Sequence, residues 1–222
     1  MKIVQPEQPP QDGAPDRVVH VPPERLARWM AGFEERHGAT QATGSGDEVL
    51  LVAADGAQAR ISVPFPPLVG EDPLNDLPRH AIAEHRVGAL LVRKGGYAVG
   101  VFSGRRLIAS KVGSSYVQGR TKAGGWSQQR FARRRENQAG KAFEAAAEAT
   151  AAVLLPVLDD LEAVLLGGDR TAIDAVLHDP RLAAVRAKAG ATVWPVAEPR
   201  RRVLEAFPDQ FLAIRIRLNH LA

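Results

Sequence analysis

The residues best suited to chemistry lie in one stretch, residues 111–141, with the sequence KVGSSYVQGRTKAGGWSQQRFARRRENQAGK. In this stretch Gly124 and Gly125 precede a tryptophan, a serine and two adjacent glutamines, Gln128 and Gln129. Glycines let a backbone approach a ligand closely and adopt positive φ. A glutamine has no useful pKa and is no general base, but its amide can orient a water molecule, and nearby backbone N–H groups can stabilise an oxyanion. These residue types therefore position a reactant rather than exchange protons with it.

The same stretch concentrates positive charge. Between residues 120 and 141 it holds seven of the chain's 29 basic residues and one acid, Glu136. The seven are Arg120, Lys122, Arg130, Arg133, Arg134, Arg135 and Lys141. A basic helix beside a glycine-rich loop is typical of a surface that binds an RNA backbone. Trp126 has two possible roles, stacking on a base, worth ~1–3 kcal/mol, or anchoring the loop on the protein. The alternative is a solvated charged helix after a plain connection, although loops beyond ~12 residues are more often functional or disordered.

The order Arg-Thr-Lys-Ala-Gly-Gly-Trp-Ser-Gln-Gln, followed by a basic helix and Gly140-Lys141-Ala142, resembles the Vms-like release factors, above all their actinobacterial branch. These proteins are relatives of the catalytic domain of archaeal and eukaryotic peptide-release factors. The resemblance covers roughly residues 85–222. It implies a peptidyl-tRNA hydrolase for ribosome rescue and quality control, which frees nascent chains from stalled large subunits. The implied partners are ribosomal RNA and the P-site peptidyl-tRNA.

Carried over residue by residue, Gly124 and Gly125 match the family's glycines, and Gln128 matches the glutamine placed in the peptidyl transferase centre. This sequence departs from a Gly-Gly-Ser-Gln form, because Trp126 is inserted and Gln129 repeats the glutamine. The assignment between the two glutamines therefore stays open. We expect the loop to be mobile away from the ribosome.

Other functions have weaker sequence support. A two-metal nuclease needs clustered carboxylates, and although Asp159, Asp160, Glu162 and Asp169 are close in sequence, a solvated helix end accounts for them better. The chain has no cysteine and no paired-histidine motif, so we expect neither a metal nor a cofactor. The serious alternative is a non-catalytic ribosome- or RNA-binding factor that uses the same basic segment.

The elements after residue 85 predict a ribonuclease-H-like α/β domain, a mixed sheet with flanking helices. Three strand-like runs form an antiparallel meander, and a long helix that Ser127 could cap follows them. The predicted strands are Val87–Arg93, Tyr97–Ser103, Arg105–Val112, Ala163–Leu166, Thr192–Val196 and Phe211–Leu218, and the later helices are Thr171–Leu177, Pro180–Ala187 and Arg200–Ala206.

The N-terminal part predicts a smaller unit. Residues 1–22 read as a flexible lead-in that ends in a short strand, and residues 23–80 as a helix, a hairpin around Asp55-Gly56 and a proline-rich linker. Residues 81–222 then form the catalytic domain. No apolar run approaches the ~18 residues of a membrane span, so we expect a cytoplasmic protein that does not bind membranes. We also expect the protein to be a monomer.

Overall fold

The computed structural model describes the backbone of residues 17–114 and 127–222, and their side chains except those of Ser45 and residues 127–139. The chain divides into two compact units. One contains the residues up to Ile82 together with Ile214–Ala222, and the other is Ala83–Ala213. The predicted division kept the C-terminal residues in the second unit, whereas the structure returns them to the first.

The first unit is a five-stranded antiparallel sheet with two helices. Its strands lie in the order β1-β10-β4-β3-β2. The elements are β1 (Arg17–Val21), α1 (Leu26–His37), β2 (Thr40–Ser45), β3 (Glu48–Ala53), β4 (Gln58–Ser62), α2 (Pro73–Ala81) and β10 (Ile214–Leu218).

Helix α1 and the β3–β4 hairpin form as their sequences predict. Leu26, Met30 and Phe33 recur at spacings of three and four residues, and all three are buried against the sheet. The helix ends at Gly38, whose φ of 85° few other residues adopt. In the hairpin, Gly56 has a φ of 90°, as a tight turn between two strands requires.

Helix α2 corrects the prediction of a linker between the hairpin and the second unit. Pro73 occupies the first helical turn, where its missing N–H costs nothing. The Asp72 carboxylate accepts a hydrogen bond from the Leu74 N–H at 3.2 Å and caps the helix. Leu77 and Ala81 bury its inner face. The prolines there mark a helix start as well as a connection.

The second unit is a mixed sheet in the order β7-β6-β5-β8-β9. Strands β5, β6 and β7 pair antiparallel in chain order, β8 pairs parallel with β5, and β9 pairs parallel with β8. This arrangement confirms the predicted mixed α/β fold. The elements are β5 (Arg86–Arg93), β6 (Gly96–Ser103), β7 (Arg106–Ser114), α3 (Ser127–Leu154), β8 (Ala163–Gly168), α4 (Arg170–Leu177), α5 (Ala183–Lys188), β9 (Ala189–Trp194), α6 (Arg201–Ala206) and α7 (Pro208–Phe211).

The predicted strand Phe211–Leu218 is wrong in part. Its first residue ends α7, and only Ile214–Leu218 is a strand. That strand pairs with β1 and β4 in the first unit. The alternation of FLAIRIRL predicts a strand with one buried face, but it does not specify the sheet that the strand joins. Two other predicted elements shift: β9 begins at Ala189, and the helix from residue 180 starts with a short 3₁₀ turn.

The core of the second unit lies between the sheet and helices α3 and α4. Val99 and Val101 of β6 pack with Leu154 of α3 and Ile173 of α4 in one buried cluster. Among the described residues no helix is long and apolar enough to span a bilayer.

Candidate functional site

The candidate site lies where the chain passes from β7 to α3. Strand β7 ends at Ser114 and α3 begins at Ser127. Ser114 pairs with Gly96, and Gly96 pairs with Arg93 at the end of β5. The connection therefore leaves the sheet at the edge where the parallel strands β5, β8 and β9 have their carboxyl ends. Ligand sites of open α/β sheets occur at such edges.

Two glycines and a tyrosine fix the end of β7. The side chain of Tyr97 lies across Gly113, so a Cβ atom on Gly113 would fall 2.5 Å from the tyrosine ring. A Cβ on Gly96 would fall 2.6 Å from the Gly113 carbonyl oxygen. Both glycines are required by this close approach of β6 and β7. Tyr97 also packs against the core, so the strand that leads into the connection is tied to the sheet.

Helix α3 is held by its C-terminal half. Ala146, Ala149 and Leu154 are at most 1% exposed and belong to the core under the helix. Thr150 is fully buried, and its hydroxyl donates to the Ala146 carbonyl oxygen at 2.7 Å. Small alanines let the helix approach the sheet closely. With 28 residues the helix is about 42 Å long, so this anchored half fixes the direction of the N-terminal half.

The structure places the two candidate glutamines, Gln128 and Gln129, in helix α3 rather than in the loop before it. Because α3 begins at Ser127, Gln128 and Gln129 belong to its first turn. Glutamine and arginine are good helix formers, and four arginines follow within the next two turns. The first turn also carries backbone N–H groups that have no acceptor within the helix, which gives this end a positive potential. Ser127, which the sequence predicts as a possible cap of this helix, is its first helical residue.

The remaining predicted site residues fall into two groups, those outside the described residues and those that the structure describes. Gly124, Gly125, Arg120, Lys122 and Trp126 lie outside the described residues, as does the expected mobility of their loop. For the arginines at the start of α3 the structure describes the backbone only; they are Arg130, Arg133, Arg134 and Arg135. Lys141, farther along the helix, is exposed.

The carboxylates that a nuclease would need are held apart. Asp160 contacts Arg86 at 3.3 Å, and Glu162 contacts the buried His85 at 2.7 Å. Both lie where β8 begins, whereas Asp169 lies just after β8 ends and caps α4 through the Ala172 N–H. No group of three metal-ligating side chains occurs in the part of the chain that the structure describes. Asp160, Glu162 and Asp169 therefore have structural roles in an ion pair, a contact with a buried histidine and a helix cap.

Comparison with known proteins decides the family. A model of the actinobacteria/chloroflexi VLRF1 release factor family matches residues 85–217, which is more than half of the chain. The chain belongs to this family. The resemblance predicted from the glycine–glutamine segment is thereby confirmed, and the matched range of this family member contains the whole candidate site.

Individual relatives are more distant. The chain is 30% identical over 99 residues to peptide chain release factor subunit 1 of Thermococcus sibiricus, a match that covers 44% of this chain and 23% of that protein. The archaeal translation termination factor aRF1 is similar in structure, with 13% identity and a TM-score of 0.39 over 87% of this chain and 64% of that one. Dom34 of S. cerevisiae, a translation termination-like factor involved in RNA quality control pathways, has 10% identity and a TM-score of 0.35, over 85% of this chain and 63% of that one. This family member thus spans less than two thirds of each relative.

The contact between Tyr97 and Gly113 was not predicted from the sequence. The predicted strand ended at Val112, whereas β7 continues to Ser114 and its antiparallel pairing with β6 places Tyr97 opposite Gly113. Only the register of the strands makes that pairing visible.

Proposed function

We propose that this protein is a ribosome-associated peptidyl-tRNA hydrolase that releases nascent chains from stalled large ribosomal subunits. The observation that carries the proposal is the family match, which includes the Gly-Gly-Trp-Ser-Gln-Gln segment at the start of α3. The proposed partners are ribosomal RNA and the P-site peptidyl-tRNA. The protein acts as a monomer in the cytoplasm and needs no cofactor of its own.

In the proposed reaction, water attacks the ester carbonyl that links the peptide to the terminal ribose of the tRNA. The carbonyl carbon–ribose oxygen bond breaks, the peptide leaves as a carboxylic acid, and the ribose oxygen takes up a proton. Gln128 or Gln129 orients the water through its amide. The position of both glutamines in the first turn of α3 supports this role, because the free N–H groups there can stabilise the oxyanion.

The basic residues supply the docking. Arginines and lysines between residues 120 and 141 neutralise phosphates of ribosomal RNA near the tRNA acceptor end. The anchored C-terminal half of α3 would then hold the glutamines at a fixed distance from that contact. Gly124 and Gly125 allow the connection before the helix to pass close to RNA.

The test is release of nascent chains from purified large subunits that carry peptidyl-tRNA. We compare the wild type with Gln128→Ala and Gln129→Ala, and we measure binding to the same subunits in parallel. Gln138→Ala is the matched control, because Gln138 lies in the same helix about ten residues, or roughly three turns, farther on. We expect one of the first two variants to lose release by about 10²–10³-fold, while it still binds, and we expect the control to match the wild type.

Binding without release by the wild-type protein would refute the hydrolase and leave a non-catalytic RNA-binding factor. Equal release by both glutamine variants and the control would refute the assignment of the site. Loss of release together with loss of binding in the glutamine variants would place these residues in docking rather than in the reaction.

A further inference from the structure

The sheet of the first unit has one face that its helices do not cover. Helices α1 and α2 pack on one side, where Phe33 and Leu77 join the core. Along β10 the buried residues Ile214, Ile216 and Leu218 point to that side. Because side chains alternate along a strand, Arg215 and Arg217 point to the other side.

Strand register brings further basic residues next to these two arginines. Arg217 lies opposite Arg60 of β4, and Arg215 lies opposite His20 of β1. We call the surface formed by His20, Arg60, Arg215 and Arg217 the arginine face. Three of its residues are exposed, and the side chain of the fourth, Arg217, is 40% exposed. Two neighbouring strands of one sheet thus present guanidinium groups side by side.

Positive charge outweighs negative charge on the arginine face. Glu48 of β3 is the one acid that the registers of the described strands place there, and it contacts Arg60 at 3.3 Å and Arg217 at 3.4 Å. A single carboxylate between two arginines orients them without neutralising both. Three arginines and one histidine thus face one carboxylate. The face therefore keeps an excess of positive charge.

The chemistry of the arginine face fits phosphate. A guanidinium presents its N–H groups as a planar fork that matches phosphate oxygens. Arg215 and Arg217 are two residues apart along β10, so their Cα atoms are roughly 6.6 Å apart, and the next strand lies about 4.8 Å away. The other side chains that the registers place on this side are aliphatic or uncharged, as Val18, Leu50 and Thr43 are, and none in the described strands is Phe, Tyr or Trp. A face with arginines and no aromatic platform binds backbone rather than stacked bases.

We infer that the arginine face is a second RNA-binding surface, which contacts phosphates of structured ribosomal RNA without reading sequence. The choice of ribosomal RNA as the ligand rests on the proposed function, whereas the charge and geometry of the face do not. Its residues lie far in sequence from the basic segment before and within α3. The surface adds affinity for the subunit and takes no part in the cleavage of the ester.

The experiment compares two double variants of the full chain. Arg215→Gln with Arg217→Gln removes two charges from the arginine face. Arg28→Gln with Arg36→Gln removes two charges from exposed positions on α1, a helix that packs on the other side of the same sheet. Both variants lose the same net charge from the same unit, so only the location differs. Thermal unfolding of each variant checks that the unit still folds, and Arg215→Lys with Arg217→Lys restores the charge.

Binding to purified large subunits and to the RNA extracted from them is measured as a function of salt. For the arginine-face variant we expect the slope of log affinity against log salt to fall by about two, roughly one for each lost phosphate contact. We expect the α1 variant to keep the wild-type slope and the lysine variant to recover most of the affinity.

If the arginine-face variant and the α1 variant have equal salt slopes, the inference is wrong, since the location of the lost charges would then not matter. Loss of binding to whole subunits with unchanged binding to extracted RNA would also overturn it, because the partner would then be a protein. Both readouts measure binding, so they stay informative even if the protein releases no nascent chains. A failure of the hydrolase proposal is therefore distinguishable from a failure of this one.

Discussion

Substitution of Ala149 by leucine tests whether α3 is seated on the sheet as the structure describes. Ala149 is fully buried in the core that contains Val99 and Val101 of β6. A leucine there adds three carbon atoms to a closely packed interface, which costs about 1–3 kcal/mol in well-packed cores. For a chain of this size, 1 kcal/mol lowers the melting temperature by roughly 2–4 °C. We therefore expect Ala149→Leu to lower it by about 2–12 °C.

The matched control is Ala152→Leu, because Ala152 lies one turn farther along the same helix and is exposed. Alanine and leucine differ little in helix propensity, so the control should melt close to the wild type. Circular dichroism of the three proteins measures both helix content and melting temperature. If Ala149→Leu melts within about 1 °C of Ala152→Leu, the buried face of α3 is misassigned. The C-terminal half of α3 would then not fix the direction of its N-terminal half.

Two further predictions concern local contacts. Gly113→Val places atoms where the Tyr97 ring lies and should lower the free energy of unfolding, measured in urea, by about 1–3 kcal/mol. In the double variant, Tyr97→Ala should remove most of that penalty. If the effects of the two substitutions simply add, the two side chains are not in contact. The Asp55 carboxylate accepts hydrogen bonds from the Ala57 N–H and from the His37 side chain, and these lower the pKa of Asp55 below its ordinary value. Stability from this carboxylate is therefore present above pH 3.8 and is lost as the pH falls through the folded pKa. Asp55→Asn should be less stable than the wild type at pH 7, and the difference in thermal unfolding should shrink at lower pH; a constant difference would exclude the charge as its source.

Much of this protein follows from local sequence patterns. The spacing of Leu26, Met30 and Phe33 predicts α1, and Asp55-Gly56 predicts the hairpin, because each depends on residues close together in the chain. The meander of β5, β6 and β7 follows from three short apolar runs joined by turns. The family resemblance also rests on the sequence alone, because the order of residue types in residues 120–142 carries it, and the matched range includes those residues.

Tertiary structure decided what depends on distant partners. The alternation in Ile214–Leu218 predicts a strand with one buried face, but the strand's hydrogen bonds run to β1 and β4, which are more than 150 residues earlier in the sequence. That pairing creates the arginine face, which no local pattern indicates. The proline-rich sequence did not predict helix α2, because the helix is stabilised by Leu77, which is buried against the rest of the first unit. Periodicity records which face of an element is buried, and only the folded chain determines what buries it.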